Sequence, residues 1–239
     1  MGNINLNTSI DQYTVVDGKD LSSHEINLKL KAVALESPRI ILKNPGAKHH
    51  LGVGLRGDIQ LIIDGNAGYF AAGLMEGPNV TIKGNVGWFA ADTLFNSHVI
   101  VEGNVGTGAA PSMRNGTLVV KGDASSRPGQ VMKGGTILIF GNAGFMTGMM
   151  MFGGRIIVLG NIGEDAGECM MGGAIYVRGE ARSLGLDAVF TPTSETELLE
   201  IKQLIEKYDS RGYDLSSMSK IVNAGKELRY PDRKDLKLK

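Results

Sequence analysis

The sequence predicts an all-β fold: a right-handed, single-stranded parallel β-helix of about seven 19-residue turns, with an N-terminal cap and a C-terminal helix. Three observations carry this. Glycines recur at a fixed spacing, aliphatic columns stand ahead of each of them, and an Asn-containing corner follows. Of the 239 residues 34 are glycine, roughly twice the usual share, without a collagen-like Gly-X-Y register. Gly65, Gly84, Gly103, Gly122, Gly141, Gly160 and Gly179 stand at intervals of 19 residues.

Four residues ahead of these anchors lie Leu61, Val80, Val99, Leu118, Ile137, Ile156 and Ile175. Two ahead lie Ile63, Ile82, Val101, Val120, Ile139, Val158 and Val177. A spacing of two puts both columns on one face of a strand. The residue just before the anchor faces outward, and turns apolar at Phe140 and Leu159. Behind the anchor come Asn66, Asn85, Asn104, Asp123, Asn142, Asn161 and Glu180, then in most repeats a second glycine. Gly and Asn there suggest corners with φ > 0. Met75, Leu94, Met113, Met132, Met151 and Met170, ten residues past the anchors, supply a second inward point. Nineteen residues trace roughly 60 Å of extended chain, one turn of a prism, and turns stack at ~4.8 Å. A single turn cannot bury its own apolar face, so the stack folds as a unit. Parallel crossovers favour the right hand.

At the ends the organisation changes. Residues 1–39 read as an N-terminal cap over an otherwise open sheet edge, with strands expected near 13–16 and 26–30. Residues 40–182 read as the β-helix, with 40–42 as a further turn out of register. Residues 183–239 read as a connector, a helix and a basic tail. Ser194-Glu195-Thr196-Glu197 is a capping box ahead of Leu198, Leu199, Ile201, Leu204 and Ile205, so a helix is expected over about 195–208.

Composition excludes several classes. The chain is 42% hydrophobic and 21% charged, which fits a globular protein and not a disordered one. Its 25 basic and 25 acidic residues cancel, so no dominant attraction to nucleic acid or to an anionic membrane is expected. The single cysteine, Cys169, leaves no internal disulfide and no multi-cysteine zinc site. No basic stretch followed by an apolar one opens the chain, so no signal peptide is expected and a cytoplasmic location is.

The candidate chemical motifs read as architecture. Gly52-Val53-Gly54-Leu55-Arg56-Gly57 matches a dinucleotide-loop pattern, but it needs a strand before it and a helix after it, and a strand follows instead. The Gly-Asn-x-Gly corners lack the Gly-Lys-Ser/Thr of a phosphate loop. Residues 134–154 carry no charge, yet glycines interrupt the stretch and it is one more copy of the repeat, so a membrane span is rejected. His24, His49, His50 and His98 show no metal-ligand spacing, and Cys169 has no neighbouring base. Glu164, Asp165 and Glu168 form the one dense acidic cluster. The equivalent loops of other repeats carry Tyr69, Phe70, Trp88, Phe89, Phe145 and Met146, not an acid–base set. These residues read either as an exposed protein-binding strip or as corner packing. No catalytic, cofactor-binding or metal-binding residue is assigned.

The repeated Met-x-x-Gly-Thr/Arg-Ile-x-Ile/Val-x-Gly-Asn-x-Gly, clearest over residues 132–144 and 151–163, resembles the GXGXG β-helix domain of the glutamate synthase large subunit. Asn44-Pro45-Gly46, His49, Gly52-Val53-Gly54-Leu55 and Ser183-Leu184-Gly185 are similar to its stand-alone subunit form, as in N-methylglutamate synthase-like complexes. The resemblance implies a non-catalytic scaffold. Its implied partners are a class II glutamine amidotransferase, which hydrolyses glutamine, and an FMN-dependent synthase with an iron–sulfur cluster, which uses the ammonia. It implies no cofactor in this chain, and neither nucleic acid nor membrane as partner. One component of the formylmethanofuran dehydrogenase complex has a similar repeat and stands as an alternative, as does a free-standing β-helix enzyme.

Overall fold

The computed structural model describes residues 13–225. Within them the 19-residue period becomes a stack of strands in parallel register. The strands β1 (Thr14–Asp17) and β2 (Arg39–Lys43), separated by helix α1 (Ser23–Glu36), lead into seven repeat strands. These are β3 (Gln60–Asp64), β4 (Asn79–Ile82), β5 (Ser97–Val101), β6 (Gly116–Val120), β7 (Thr136–Ile139), β8 (Arg155–Val158) and β9 (Ala174–Val177). Each pairs in parallel with the next, and Ile63 stands opposite Ile82, which stands opposite Val101. The sheet order runs β1 to β9 in sequence. A second parallel ladder joins Ala67, Val86, Val105, Ala124, Ala143, Ile162 and Ala181, two residues past each anchor. The result is a β-solenoid of about seven turns.

Both aliphatic columns and the Met column fill one interior. Leu61, Ile63, Met75, Ile82, Leu94, Met113 and Leu118 are fully buried there. Small residues line the tighter wall, among them Ala71, Ala90, Ala109 and Ala110. The same columns continue into β2, where Ile40 faces Leu61 and Leu42 faces Ile63, although this step is longer than 19 residues. Residues 40–42 are thus a turn of the stack in side-chain register, and the extra length lies in the loop ahead of β3.

The corners differ from the expectation of left-handed backbone at Gly and Asn. Among the seven anchors only Gly65 has φ in the left-handed range, and no corner Asn does. The positive values fall five, seven and nine residues past the anchors, as at Phe70, Ala72 and Leu74, and again ahead of each next strand, as at Gly77, Asn96 and Gly116. The anchors are glycine for clearance. A Cβ on Gly122 would lie 2.2 Å from Asn104 Oδ1. That oxygen accepts the Asp123 backbone N–H at 2.7 Å. The same bond repeats from Asn85 to Asn66, Asn104 to Asn85, Asn142 to Asp123, Asn161 to Asn142 and Glu180 to Asn161. Each corner side chain therefore caps a backbone donor of the next turn, and that turn's glycine makes room for it.

Two further expectations are corrected. Residues 26–30 are helical: they belong to α1, whose N-cap Ser22 and Glu25 form a capping box. Ile26 and Leu30, one helical turn apart, enter the interior cluster with Val16 and Leu42, so α1 closes the first end of the solenoid. The segment 183–193 holds β10 (Ala188–Thr191), and the start of the expected tail is β11 (Ser219–Asn223). β11 lies antiparallel between β9 and β10, and Ala188 and Ile221 join the interior cluster at the second end. The rest of the basic tail lies outside the described residues.

Helix α2 (Glu195–Glu206) begins at the expected capping box on Ser194. Ile201 and Ile205 pack on the outer face of the sheet, against Ile100, Val119, Leu138, Ile157, Leu159 and Tyr176. This explains the apolar outward positions Phe140 and Leu159. Side-chain bonds hold the cover down, among them these. Tyr176 Oη donates to Glu197 Oε1 at 2.8 Å, Lys220 Nζ donates to both Glu197 oxygens at 3.0 Å, and Lys121 Nζ donates to the Tyr208 carbonyl. Burial opposes the Glu197 charge, but the bonds from Ser194, Lys220 and Tyr176 outweigh it and hold the carboxyl down to about 2.

Candidate interaction surface

The aromatic residues of the corner loops stack by turns. His49 lies on Tyr69 with ring centroids 4.5 Å apart, and Tyr69 on Trp88 at 4.9 Å. Beside them His50 stacks on Phe70 at 5.4 Å and Phe70 on Phe89 at 5.0 Å. The backbone N–H of Tyr69 donates to His49 Nδ1 at 2.9 Å. The second corner glycine again provides clearance: a Cβ on Gly87 would lie 2.4 Å from the Tyr69 ring. Tyr69 and Trp88 keep exposed edges, while Phe70 and Phe89 are half-buried. Phe145 and Met146 do not extend the stack. Thr107, Gly108, Ser126 and Arg127 occupy the two turns between, and Arg127 covers the Phe145 ring at 5.4 Å. The strip expected from the sequence is a short aromatic ladder on the early turns.

The acidic cluster, on the loop of the sixth repeat, ties it to the end of the seventh and to the connector. Glu164 pairs with Arg182 at 3.5 Å, Asp165 accepts from Ser183 Oγ at 3.2 Å, and Glu168 accepts the Leu186 N–H at 2.6 Å. Cys169 donates to Glu168 Oε1 at 3.4 Å, and partial burial together with that carboxylate pushes the thiol up from its usual range. His98 lies under the end of the α2 cover. Its ring stacks on Tyr208 at 5.5 Å and its Nε2 is 3.1 Å from Tyr208 Oη. Burial, helped by Lys207, pushes His98 down to about 4. The histidines occupy three separate places: His49 and His50 side by side at the aromatic ladder, His98 under the α2 cover, and His24 exposed on α1. Among the described residues no group of three or more His, Cys, Asp and Glu is placed to hold a metal ion, and no helix is long and apolar enough to cross a membrane. The segment from Gly52 to Gly57 forms turns leading into β3, and Leu55 points into the interior cluster.

Residues 20–224 match the model of the GXGXG motif family. The chain belongs to that family. No curated protein matches it. The GXGXG match takes in α1 at one end and β11 at the other, so the caps and the α2 cover fall within the matched region.

One surface escaped the sequence reading. Eleven residues past the anchors stand Glu76, Phe95, Arg114, Lys133, Phe152 and Met171, all exposed. Leu74 and Met150, nine past their anchors, are exposed beside them. The column was legible at the same 19-residue spacing as the others. It mixes charge with apolar side chains, so it lacks the uniformity that marks a core column. The outward column of the sheet, Ile62, Ile100, Val119, Leu138, Ile157 and Tyr176, was equally legible and foretold a cover.

Proposed function

We propose that this GXGXG protein is a non-catalytic scaffold subunit of a glutamate synthase-like oxidoreductase complex. The observation that supports the reading is the family match over residues 20–224, on a stack whose repeated polar side chains serve the backbone of the next turn. Asn85, Asn104, Asn142 and Asn161 are bound in that way. A regular stack presents rigid outer faces, and rigidity suits a part that fixes the distance between two catalytic partners.

In this reading the partners are a class II glutamine amidotransferase and an FMN-dependent synthase. FMN and the iron–sulfur cluster belong to the synthase; one cysteine cannot supply a cluster's ligand set. The solenoid holds the two enzymes in register and helps enclose the route of ammonia between them. Affinity purification of the tagged chain from its own cells tests this. Co-purification of an amidotransferase and a flavin-containing synthase is the expected result. Recovery with a molybdopterin or tungstopterin enzyme replaces the reading with the formylmethanofuran dehydrogenase alternative. Recovery alone, with hydrolase or lyase activity of its own, defeats the scaffold reading.

A further inference from the structure

The ridge eleven residues past the anchors has a charge pattern that selects an occupant. Its ladder begins Arg56–Glu76–Phe95 and continues up the stack to Arg114, Lys133, Phe152 and Met171. Phe95 is 41% exposed, Phe152 47% and Met171 48%. Between the two phenylalanines stand only Arg114 and Lys133, both exposed. No ion pair engages either of them among the described residues, whereas Glu76 lower on the ladder lies 3.9 Å from Arg56. Two adjacent cations without an ion pair, between exposed aromatic side chains, leave both the charge and the apolar area without a counterpart among the described residues.

The ridge N–H groups are not available for strand addition. The N–H groups of Phe95, Arg114, Lys133, Phe152 and Met171 donate to carbonyls of the turn before: Met75, Leu94, Met113, Met132 and Met151. Recognition here therefore runs through side chains. Three turns separate Phe95 from Phe152, or about 14 Å at ~4.8 Å per turn.

We infer that this ridge docks an acidic segment of a partner polypeptide. One or more carboxylates of that segment lie over Arg114 and Lys133, and apolar side chains on either side lie against Phe95 and against Phe152 with Met171. Desolvation by the flanking aromatics strengthens the central ion pairs relative to fully exposed ones, and the charge match steers association and fixes register along the stack. The inference rests on the scaffold reading, because it names the face that a partner grips.

The test uses the tagged full-length chain purified from its own cells as the complex. The double variant Arg114→Glu with Lys133→Glu is compared with wild type and with Lys83→Glu, an exposed reversal elsewhere on the stack. Far-UV circular dichroism and the thermal midpoint establish that each variant folds. In the wild-type complex, a zero-length carbodiimide reagent joins lysine amines to carboxylates in contact, and peptide mass spectrometry reads the joined pairs. The expected result is at least a tenfold loss of a bound partner in the double variant, none in Lys83→Glu, and a Lys133 cross-link to an Asp or Glu of that partner. A wild-type complex that the double variant retains in full overturns the docking ridge and leaves the scaffold standing. A Lys133 cross-link to a second copy of this chain overturns it likewise. A wild-type chain recovered alone overturns both.

Discussion

Asn104 Oδ1 accepts the backbone N–H of Asp123 from the turn above at 2.7 Å. Gly122, immediately before that N–H, is the residue whose side chain would displace the oxygen. The two halves of the Gly-Asn corner are thus a single device working across turns, and they make opposite predictions singly and together. Asn104→Ala should cost about 1 kcal/mol, the net worth of one hydrogen bond. Gly122→Ala should cost more, because Asn104 or the backbone must move. In the double variant the cost should be less than additive, since the clashing oxygen is gone. Urea denaturation of the four proteins of the cycle measures the coupling; strict additivity would rule out clearance as the reason for the glycine.

The α2 cover carries a pH dependence. His98 has a folded-state value of about 4 against an ordinary 6.5. Its depression means that the fold favours the neutral ring, so the stability it contributes is complete above about pH 6.5. That contribution is lost progressively as pH falls from there toward 4, by roughly 3 kcal/mol across the window. Lys207 and the stacked Tyr208 face the ring, and Lys121 reaches the Tyr208 carbonyl. Chemical denaturation at pH 7.5 and at pH 4.5 should differ in wild type and differ much less in His98→Phe, which keeps a ring on Tyr208.

Glu197 joins three elements through Ser194, Tyr176 and Lys220. Glu197→Gln removes the charge while keeping an acceptor for the N-cap. In that variant the C-terminal elements should open locally before the solenoid unfolds. Hydrogen exchange should accelerate in α2 and β11 and stay unchanged in β4 to β7. Uniform acceleration through the stack would contradict a separable cover.

Cavity formation should be most costly inside the repeat. Met132→Ala, at a fully buried position, should lose about 2–5 kcal/mol, the usual range for large-to-small core changes. Leu74→Ala, at 56% exposure, should change the thermal midpoint little. Comparable losses at both sites would mean that the Met column does not line the interior.

The strand stack was legible because the period of two within a strand and of 19 between strands repeat together, so errors at one position are corrected by six others. Ile63, Ile82 and Val101 needed no further information. What escaped were singular elements. The α1 helix has a capping box at Ser22 and Glu25 and apolar Ile26 and Leu30, but a helix that occurs once, with only those two residues buried, competes with a strand reading of the same apolar residues. β10 and β11 pair antiparallel across a long separation in sequence, and no local pattern announces such a partner. The corner glycines were read as a conformational need, whereas their reason is a neighbour 18 or 19 residues earlier, visible only once the turns are superposed. At the surface, the sequence left an exposed strip and corner packing both open, and the stacking of Tyr69 on Trp88 and Phe70 on Phe89 has elements of each, ending where Thr107, Gly108, Ser126 and Arg127 interrupt it.

The scaffold role is met most directly by rate measurements on the purified complex with this chain present and with it removed. Glutamine-driven synthesis should collapse without the chain, while the glutaminase rate of one partner and the ammonia-driven rate of the other persist. Glutamine-driven synthesis that continues unchanged without the chain would contradict that role.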